Sequence, residues 1–467
     1  MKNTQLIFFA FCLSVSTSFA QQFPVDTLVY NGSSESRVNF VIIGDGYLAS
    51  QQDNFLEDAR KITDDLFRAS PFTEYEDYFN VFTISVPSNV EGAAEDPSAL
   101  IDNYFGSTFN FAGIQRLLVP TRTNQILNVM ADNIPDYDQV MVVVNDTQYG
   151  GSGGQFATSS VNEAASEISI HEIGHSFAGL ADEYWAGAQF ARERPNMTRE
   201  SSESRVKWSN WTTDRNSEVG VYPHDVDPNW YKPHLNCKMQ FLGRRFCAVC
   251  KEQFIQSIYG RVSHVVAYNP VEEEALGDVI TFDLTTINPS PNTLNITWLV
   301  DDEEVAANDI SFELDVTALD PGEHEVKVVV YDSTALDRRG RVFVSTVSWT
   351  LDAGLSSESR WGIDDRPADE DDNVVTAVSG SVATVALRLY PNPTADVLHF
   401  TYDGLHDGEV KLSLLELNGK EVFQAIYEVQ VAGAIDEQID IAALPAGIYL
   451  VAIDAGDFQK TFRISKE

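Results

Sequence analysis

The sequence has little positive charge and no long apolar run beyond its first residues. Among 467 residues, 31 are Lys or Arg and 70 are Asp or Glu, which gives a formal net charge of −39. This balance argues against nucleic acid as a partner. After residue 20 no stretch approaches the roughly 18 consecutive apolar residues of a transmembrane helix, so we predict no transmembrane anchor. The acidic excess is typical of an extracellular protein, and its acidic loops could hold Ca²⁺.

The first 20 residues predict export. Lys2 gives a positive start, and residues 6–15 form an apolar run that is too short to span a bilayer. Ser18 and Ala20 then place small residues where a signal peptidase cleaves. We therefore predict a signal peptide over residues 1–20.

Cysteine is scarce in the remaining chain. Loss of the signal peptide removes Cys12 and leaves Cys237, Cys247 and Cys250. In an exported protein the default expectation is a disulfide, either Cys237–Cys247 or Cys237–Cys250, with one thiol left over. A structural zinc is the alternative, but three cysteines with a single Cys-x-x-Cys pair favour it less.

Histidine is scarce as well, yet two of the eight histidines stand four residues apart in His171-Glu172-x-x-His175. On a helix, residues with this spacing lie on one face, so both imidazoles can turn a nitrogen toward one Zn²⁺. Glu172 then lies beside the metal, where a general base can take a proton from a water. The pattern predicts a catalytic zinc with His171 and His175 as ligands and Glu172 as the base.

The helix that carries these histidines is predicted to end near Gly179. Ile173, Phe177 and Leu180 form an apolar stripe that would anchor the helix in a core. Gly179 offers a left-handed residue at which the helix can stop and the chain can turn back. A catalytic zinc takes three protein ligands, and Asp182, three residues past the glycine, is our candidate for the third.

Other third ligands remain open. Glu183 is the reserve; if Asp182 is the ligand, Glu183 would face away and could orient a histidine instead. His224 and His234 are further candidates, because the segment around them is polar and rich in loops.

Three more features are candidates for supporting roles. Met239 could lie beneath the metal, and Tyr184 could donate a hydrogen bond to a developing oxyanion. The glycine-rich residues 149–154 follow an apolar strand but lack a Gly-Lys-Ser/Thr sequence, so we exclude a phosphate loop. They are either a cleft edge to which a peptide could add as a strand, or an idle surface loop.

The length suggests about three domains. Strands alternate with helices up to the zinc helix, which predicts an α/β domain over residues 21–265. The expected strands there are residues 38–43, 81–86 and 139–144, and the expected helices are residues 54–67 and 114–130, the latter in two parts around Pro120.

The pattern of apolar and turn residues changes after residue 265. Short alternating strands separated by turn residues predict a β-sandwich over residues 266–353, with Trp298 in its core. An acidic linker is expected over residues 354–386 and a second all-β region over residues 387–467.

The helix motif and its surroundings resemble a known family. HExxHxxxGLADEY, with VVVND and YGGSGG upstream and Cys-x-Met…FCxVC downstream, is similar to the IgA-peptidase family of zinc metallopeptidases over residues 37–259. The resemblance implies a zincin-like α/β fold, with His171, His175 and a following acidic residue as ligands and Glu172 as the base. It does not imply immunoglobulin as the substrate.

The C-terminal region resembles the type IX secretion sorting domain of Bacteroidetes. The matching pieces are LYPNP at 389–393, LNGK at 417–420, LPAGIY at 444–449 and KTFRI at 460–464. The resemblance implies the type IX machinery as a partner and release to the cell surface or the medium. The middle sandwich is similar to immunoglobulin-like domains in a generic way.

These features predict a secreted zinc endopeptidase acting on extracellular proteins or peptides. One alternative is a non-catalytic surface adhesin or glycan-binding protein on a degenerate protease scaffold, against which the intact His171, Glu172 and His175 argue. The other is a zinc amidase acting on peptidoglycan. The sequence does not identify the substrate.

Overall fold

The computed structural model describes residues 22–270, 278–338, 344–353, 386–390, 397–403, 408–416, 420–429, 434–445, 447–454 and 459–466. The predicted signal peptide lies outside the described residues, as does the predicted linker apart from Ala386. Among the described residues, no helix combines the length and the apolar character needed to cross a membrane.

The N-terminal region is built on a six-stranded mixed sheet. In chain order its elements are β1 (Val25–Val29), β2 (Val38–Asp45), α1 (Gln52–Phe67), β3 (Phe79–Ile84), β4 (Ser107–Thr108), β5 (Val119–Pro120), α2 (Thr123–Asn133), β6 (Gln139–Val144), β7 (Gly151–Ser152), β8 (Ala157–Ser160), α3 (Ala165–Ser176), α4 (Ser209–Thr212), β9 (Tyr222–Pro223), β10 (Tyr231–Lys232) and α5 (Ala248–Tyr259). The large sheet has the order β1-β3-β2-β6-β8-β7. Its four central strands are parallel and its two edge strands antiparallel.

The central strands are buried on both faces. Along β2, Phe40 and Ile42 point into one core while Val41 and Ile43 point into another, as the two-residue period of a strand requires. Helices α1, α3 and α5 contribute to the first core and α2 to the second. Because helices cover both faces of the sheet, β2 and β6 are continuous apolar runs in the sequence.

The predicted elements of this region are largely confirmed. Strand β6 matches the prediction at both ends, β2 and α1 extend theirs by two residues, and β3 begins and ends two residues early.

The predicted two-part helix over 114–130 is wrong in its first part. Helix α2 begins only at Thr123, and Val119–Pro120 form a short strand. The backbone just before that strand makes one local turn, in which the Leu117 N–H donates to the Ile114 carbonyl, and then pairs with Gly151: the Gly151 N–H donates to the Arg116 carbonyl, and the Leu118 N–H donates to the Gly151 carbonyl. A tertiary pairing thus replaces the helix that the apolar spacing favours.

The middle region consists of two antiparallel sheets that share one core. Its strands are β11 (Val265–Asn269), β12 (Val279–Thr286), β13 (Leu294–Val300), β14 (Glu303–Ala307), β15 (Ser311–Asp315), β16 (Glu323–Asp332) and β17 (Val344–Asp352). The orders are β11-β12-β15 and β14-β13-β16-β17. Trp298 is fully buried between the sheets, as predicted. The sequence missed β14 because this edge strand is mostly exposed and lacks an alternating apolar pattern.

The C-terminal region is also all β within its described residues. Its strands are β18 (Ala386–Tyr390), β19 (Val397–Asp403), β20 (Gly408–Glu416), β21 (Glu421–Val429), β22 (Ala434–Asp440), β23 (Gly447–Asp454) and β24 (Gln459–Lys466). They form sheets of order β18-β19-β22 and β21-β20-β23-β24 around a third core.

Asp332, at the end of β16, joins the N-terminal and middle regions. Its Oδ2 accepts hydrogen bonds from the hydroxyls of Tyr75, at 2.5 Å, and Tyr259, at 2.6 Å. Its Oδ1 accepts from the Thr293 hydroxyl at 2.6 Å and from the Thr334 N–H at 2.9 Å. One carboxylate therefore accepts hydrogen bonds from two tyrosines of the N-terminal region.

We expect Asp332→Ala to lower the free energy of unfolding by about 2–4 kcal/mol, because two largely buried hydroxyls lose a charged acceptor. Urea unfolding followed by tryptophan fluorescence measures the change. Asp302→Asn is the control, since this exposed carboxylate pairs at the surface with Lys327, asparagine tolerates the left-handed backbone at this position, and the change should cost no more than about 1 kcal/mol. Equal unfolding midpoints for the two variants would contradict the assignment.

Candidate metal centre

Helix α3 carries the two motif histidines and ends as the sequence predicts. Ile173, Phe177 and Leu180 are at most 3% exposed, so the apolar stripe anchors the helix. The last helical residue is Ser176, and Gly179 has φ of +63°, the left-handed conformation that favours glycine. The chain reverses at this point.

Each imidazole is held by a backbone carbonyl. His171 Nδ1 lies 3.0 Å from the Lys238 carbonyl oxygen, and His175 Nδ1 lies 2.7 Å from the Leu180 carbonyl oxygen. A carbonyl only accepts hydrogen bonds, so each Nδ1 carries the proton. The Nε2 of each neutral ring is therefore left with its lone pair, which is the form that binds a metal.

The two Nε2 atoms face the same carboxylate oxygen. Asp182 Oδ1 lies 3.1 Å from His171 Nε2 and 3.3 Å from His175 Nε2. Ligands about 2.0–2.1 Å from a tetrahedral zinc are roughly 3.3–3.4 Å apart, so these separations fit one ion. Three acceptor atoms at this distance repel one another unless a cation, either a proton or a metal ion, lies between them.

The charges show how strongly this arrangement attracts a cation. Burial would lower the pKa of His175, but the Asp182 carboxylate outweighs it and raises the pKa to about 9. Burial would raise the pKa of Asp182, but His175 and His171 hold it well below its usual range. A metal ion would replace the proton that His175 otherwise takes up.

Glu172 lies beside this group. Its Oε2 is 3.9 Å from His175 Nε2, and 12% of its side chain is exposed. Burial raises the pKa of this carboxyl, while the two histidines pull in the other direction. The ligand atoms of His171, Glu172 and His175 all lie within 4.8 Å of one another.

The glycine-rich loop, residues 149–154, packs against the site. A Cβ on Gly151 would lie 2.5 Å from an Ile168 methyl and 3.1 Å from Glu172 Oε1. A Cβ on Gly153 would lie 2.3 Å from the His175 Cβ. The loop is therefore part of the site and not an idle surface loop. The expected addition of a peptide strand is blocked at Gly151, because its outer edge is already paired with residues 116–118.

Tyr184 and Arg116 form a pair at the mouth of the site. The Arg116 guanidinium donates to the Tyr184 hydroxyl oxygen at 3.1 Å. Burial and the nearby Asp182 and Glu172 carboxylates raise the pKa of Tyr184 and outweigh the opposing effect of Arg116, so the hydroxyl keeps its proton. A groove of about 380 Å³ is lined by Arg116, Tyr149 and their neighbours.

The reserve histidines lie elsewhere. His224 is buried against Trp185, and burial, together with Lys232, lowers the pKa of His224 to about 4. His234 Nδ1 accepts a hydrogen bond from the Asn236 N–H. In the part of the chain that the structure describes, neither histidine shares a hydrogen bond or ion pair with His171, His175 or Asp182.

Glu183 contacts sulfur and not histidine, so the expectation that it orients a histidine is wrong. It faces away from Asp182, as predicted, but its Oε1 lies 3.4 Å from Cys250 Sγ and 3.9 Å from Cys247 Sγ. The expected disulfide is also absent: the three described cysteines are free thiols, with 3.7 Å between Cys237 Sγ and Cys250 Sγ. The sulfurs converge on a carboxylate instead of pairing.

Met239 lies under helix α3. It is fully buried, and a Cβ on Gly174 would lie 2.7 Å from its sulfur. Its carbonyl accepts a hydrogen bond from the Glu183 N–H at 2.8 Å. The sequence could not reveal the carbonyls that orient the imidazoles, because every residue carries one. Neither group of converging ligand atoms in the described residues is all-oxygen, so neither supports the Ca²⁺ expectation.

Comparison with known proteins gives two family matches. The family described as IgA Peptidase M64 matches residues 27–226. The secretion system C-terminal sorting domain matches residues 388–467. No curated protein matches the chain.

Similarity to solved structures is weak. A Bacteroides ovatus mixed-linkage glucan utilization protein, SGBP-B, is 12% identical, with 40% of this chain and 40% of that chain covered and a TM-score of 0.12. Porphyromonas gingivalis PorZ, a surface component of the type-IX secretion system, is 15% identical over 32% of this chain and 29% of that chain, with a TM-score of 0.14. A Faecalibacterium prausnitzii β-glucuronidase is 14% identical over 37% and 33%, with a TM-score of 0.14. This chain thus spans less than half of each of these structures.

We expect Gly153→Ala to weaken zinc binding by about 10–100-fold, because the added methyl group would displace the His175 ring. Competition with a chromophoric chelator measures the affinity. Gly154→Ala is the matched control, since a Cβ there meets nothing within 4 Å. Unchanged affinity in both variants would show that the loop does not constrain His175.

Proposed function

We propose that the protein is a zinc-dependent endopeptidase that hydrolyses extracellular proteins, because residues 27–226 match the IgA Peptidase M64 family and residues 388–467 match the secretion system C-terminal sorting domain. The sorting domain directs export by type IX secretion to the cell surface or the extracellular space. The observation that carries the proposal is the convergence of His171 Nε2, His175 Nε2 and Asp182 Oδ1, with Glu172 beside them.

In this proposal His171, His175 and Asp182 hold the zinc. The two-nitrogen, one-oxygen set and the 3.1 and 3.3 Å separations suit that ion. The carbonyls of Lys238 and Leu180 fix the ring orientations and leave the Nε2 lone pairs directed inward. When bound, zinc supplies a Lewis acid that polarises a scissile carbonyl and lowers the pKa of water.

Glu172 acts as the general base and then as the general acid. Its carboxylate takes a proton from the attacking water and returns it to the leaving amine nitrogen, so the side chain ends the cycle as the carboxylate with which it began. Burial supports both steps, because a raised carboxyl pKa brings proton gain and loss closer to neutral pH.

Tyr184 is proposed to donate to the oxyanion that develops on the scissile carbonyl. Arg116 donates to the Tyr184 oxygen, which leaves the hydroxyl hydrogen free to point at substrate. The guanidinium also strengthens that donation by withdrawing electron density. The groove beside Arg116 and Tyr149 would hold part of the peptide.

The remaining architecture is proposed as follows. Residues 1–20 are the signal peptide, 21–265 a zincin-like α/β peptidase domain, 266–353 an immunoglobulin-like sandwich, 354–386 a linker and 387–467 the sorting domain. The mixed sheet with helices on both faces supports the peptidase domain at 21–265. The two antiparallel sheets around Trp298 support the sandwich at 266–353.

We expect Glu172→Gln to lower kcat/KM by about 10²–10⁴-fold with zinc content unchanged, because the amide cannot accept the proton. Hydrolysis of a denatured protein substrate and elemental analysis give the two readouts. Glu163→Gln, an exposed glutamate just before α3, is the control and should retain activity. Full hydrolysis by zinc-loaded Glu172→Gln would contradict the role of Glu172 as the general base. A wild-type protein that holds zinc and digests cell-wall material but no protein would instead be an amidase.

We expect Asp182→Ala to lose both bound zinc and activity. The loss of affinity should exceed the roughly 10–100-fold that an outer hydrogen-bond partner contributes, because a direct ligand is removed. His224→Ala and His234→Ala are the controls, and both should keep zinc. If either histidine variant empties the site while Asp182→Ala retains zinc, the third ligand is reassigned to that histidine.

A further inference from the structure

A second group of ligand atoms lies behind the proposed catalytic site. Glu183, Cys237, Cys247 and Cys250 are all buried, and their ligand atoms lie within 4.8 Å of one another. Cys237 comes from the segment after β10, Cys247 and Cys250 from the start of α5, and Glu183 from the loop after α3. Three separate segments therefore bring three thiols and one carboxylate to a single point.

The spacing of these atoms fits a tetrahedral ion. Sulfur atoms about 2.3 Å from a zinc lie roughly 3.8 Å apart, and a sulfur and a carboxylate oxygen roughly 3.6 Å apart. The Cys237 and Cys250 sulfurs are 3.7 Å apart. Glu183 Oε1 lies 3.4 Å from Cys250 Sγ and 3.9 Å from Cys247 Sγ, on either side of the ideal value.

Glu183 gives an independent sign that a cation belongs here. Its side chain is fully buried, and its Oε2 has no hydrogen-bond partner among the residues that the structure describes. Its other oxygen accepts a single amide hydrogen bond, from Asn196 at 3.3 Å. A buried carboxylate so poorly solvated is costly unless a positive charge compensates it.

Positively polarised groups lie close to the cluster. Cys247 is the N-cap residue of α5, so the positive end of the helix faces its sulfur. The Cys247 N–H also donates to Cys237 Sγ at 3.3 Å. The buried Lys232 ammonium bonds the Glu183 carbonyl at 2.7 Å and adds positive charge nearby.

We propose that Glu183, Cys237, Cys247 and Cys250 bind a second, structural zinc ion. A disulfide would use two of the sulfurs and leave the third thiol and the Glu183 carboxylate buried without a counter-charge. Four protein ligands close the coordination shell and leave no position for water, which is the property of a structural site.

This second zinc would fix the geometry of the first site through the backbone. Glu183 directly follows Asp182, and Cys237 directly precedes Lys238, whose carbonyl holds His171. The Glu183 N–H donates to the Met239 carbonyl, which ties the two segments together. Loss of the structural ion would therefore loosen both a proposed ligand and the partner of another.

The test is metal and thiol analysis of the mature protein purified from culture medium. We expect two zinc ions per chain, one in His175→Ala, one in Cys250→Ala and none in the double variant. Ser257→Ala, at a buried position on the same helix, is the control and should keep two. Mass spectrometry under non-reducing conditions should show three intact thiols, because a bound metal protects them without oxidation.

Cobalt substitution covers the case in which Cys250→Ala does not fold. In the folded His175→Ala variant, Co²⁺ should give thiolate-to-metal charge-transfer absorption, which the nitrogen and oxygen ligands of the first site cannot produce. Glu183→Gln should shift the ligand-field bands and weaken binding while keeping that absorption. A mass lower by two hydrogens, or His175→Ala protein with no metal and no charge-transfer band, would overturn the proposal. These readouts do not use activity, so they stand apart from the test of Glu172.

Discussion

The contact of one Asp182 oxygen with two imidazole nitrogens is the interaction on which the rest of the site depends. It requires helix α3 to stop after Ser176 and the chain to reverse, and Gly179 supplies the left-handed residue for that reversal. The stripe at Ile173, Phe177 and Leu180 fixes the helix in the core, so the reversal starts from a rigid support. Three acceptor atoms are thereby held together in a site that only a cation can stabilise.

Close packing around α3 then limits how far these atoms can move. Gly153 packs against His175 so closely that a Cβ there would clash with it, and Gly174 packs tightly against the Met239 sulfur. Side chains at either glycine would push the helix or its rings out of place. The geometry of the site thus depends on the lack of side chains at Gly153 and Gly174 as well as on its ligands.

Local signals predicted much of this arrangement. Strand β6, the apolar stripe of α3 and the glycine stop were all visible in the sequence, because each depends on residues close together in the chain. The segment before Pro120 was misassigned because its backbone pairs with Gly151, a contact that no local pattern encodes.

The sulfur cluster shows the same limit. The spacing of Cys237, Cys247 and Cys250 favours a disulfide over a metal site, and the fourth member of the cluster, Glu183, lies more than fifty positions upstream. Its partners follow from the direction its side chain takes after the turn at Gly179. Only the folded chain shows that direction.

The junction around Asp332 has a consequence for how the protein can be divided in the laboratory. Ile287, from the middle region, belongs to the core to which helix α3 also contributes, and its carbonyl accepts a hydrogen bond from the Tyr78 hydroxyl at 2.6 Å. The Ser290 N–H bonds the Glu74 carbonyl at 2.7 Å in the same junction. A recombinant fragment ending near residue 265 would expose apolar surface. It would also leave the Tyr78 hydroxyl and the Glu74 carbonyl without these hydrogen-bond partners. A fragment that keeps this junction must include Ile287, Ser290 and Asp332, and the sandwich core to which their region belongs includes residues of β17.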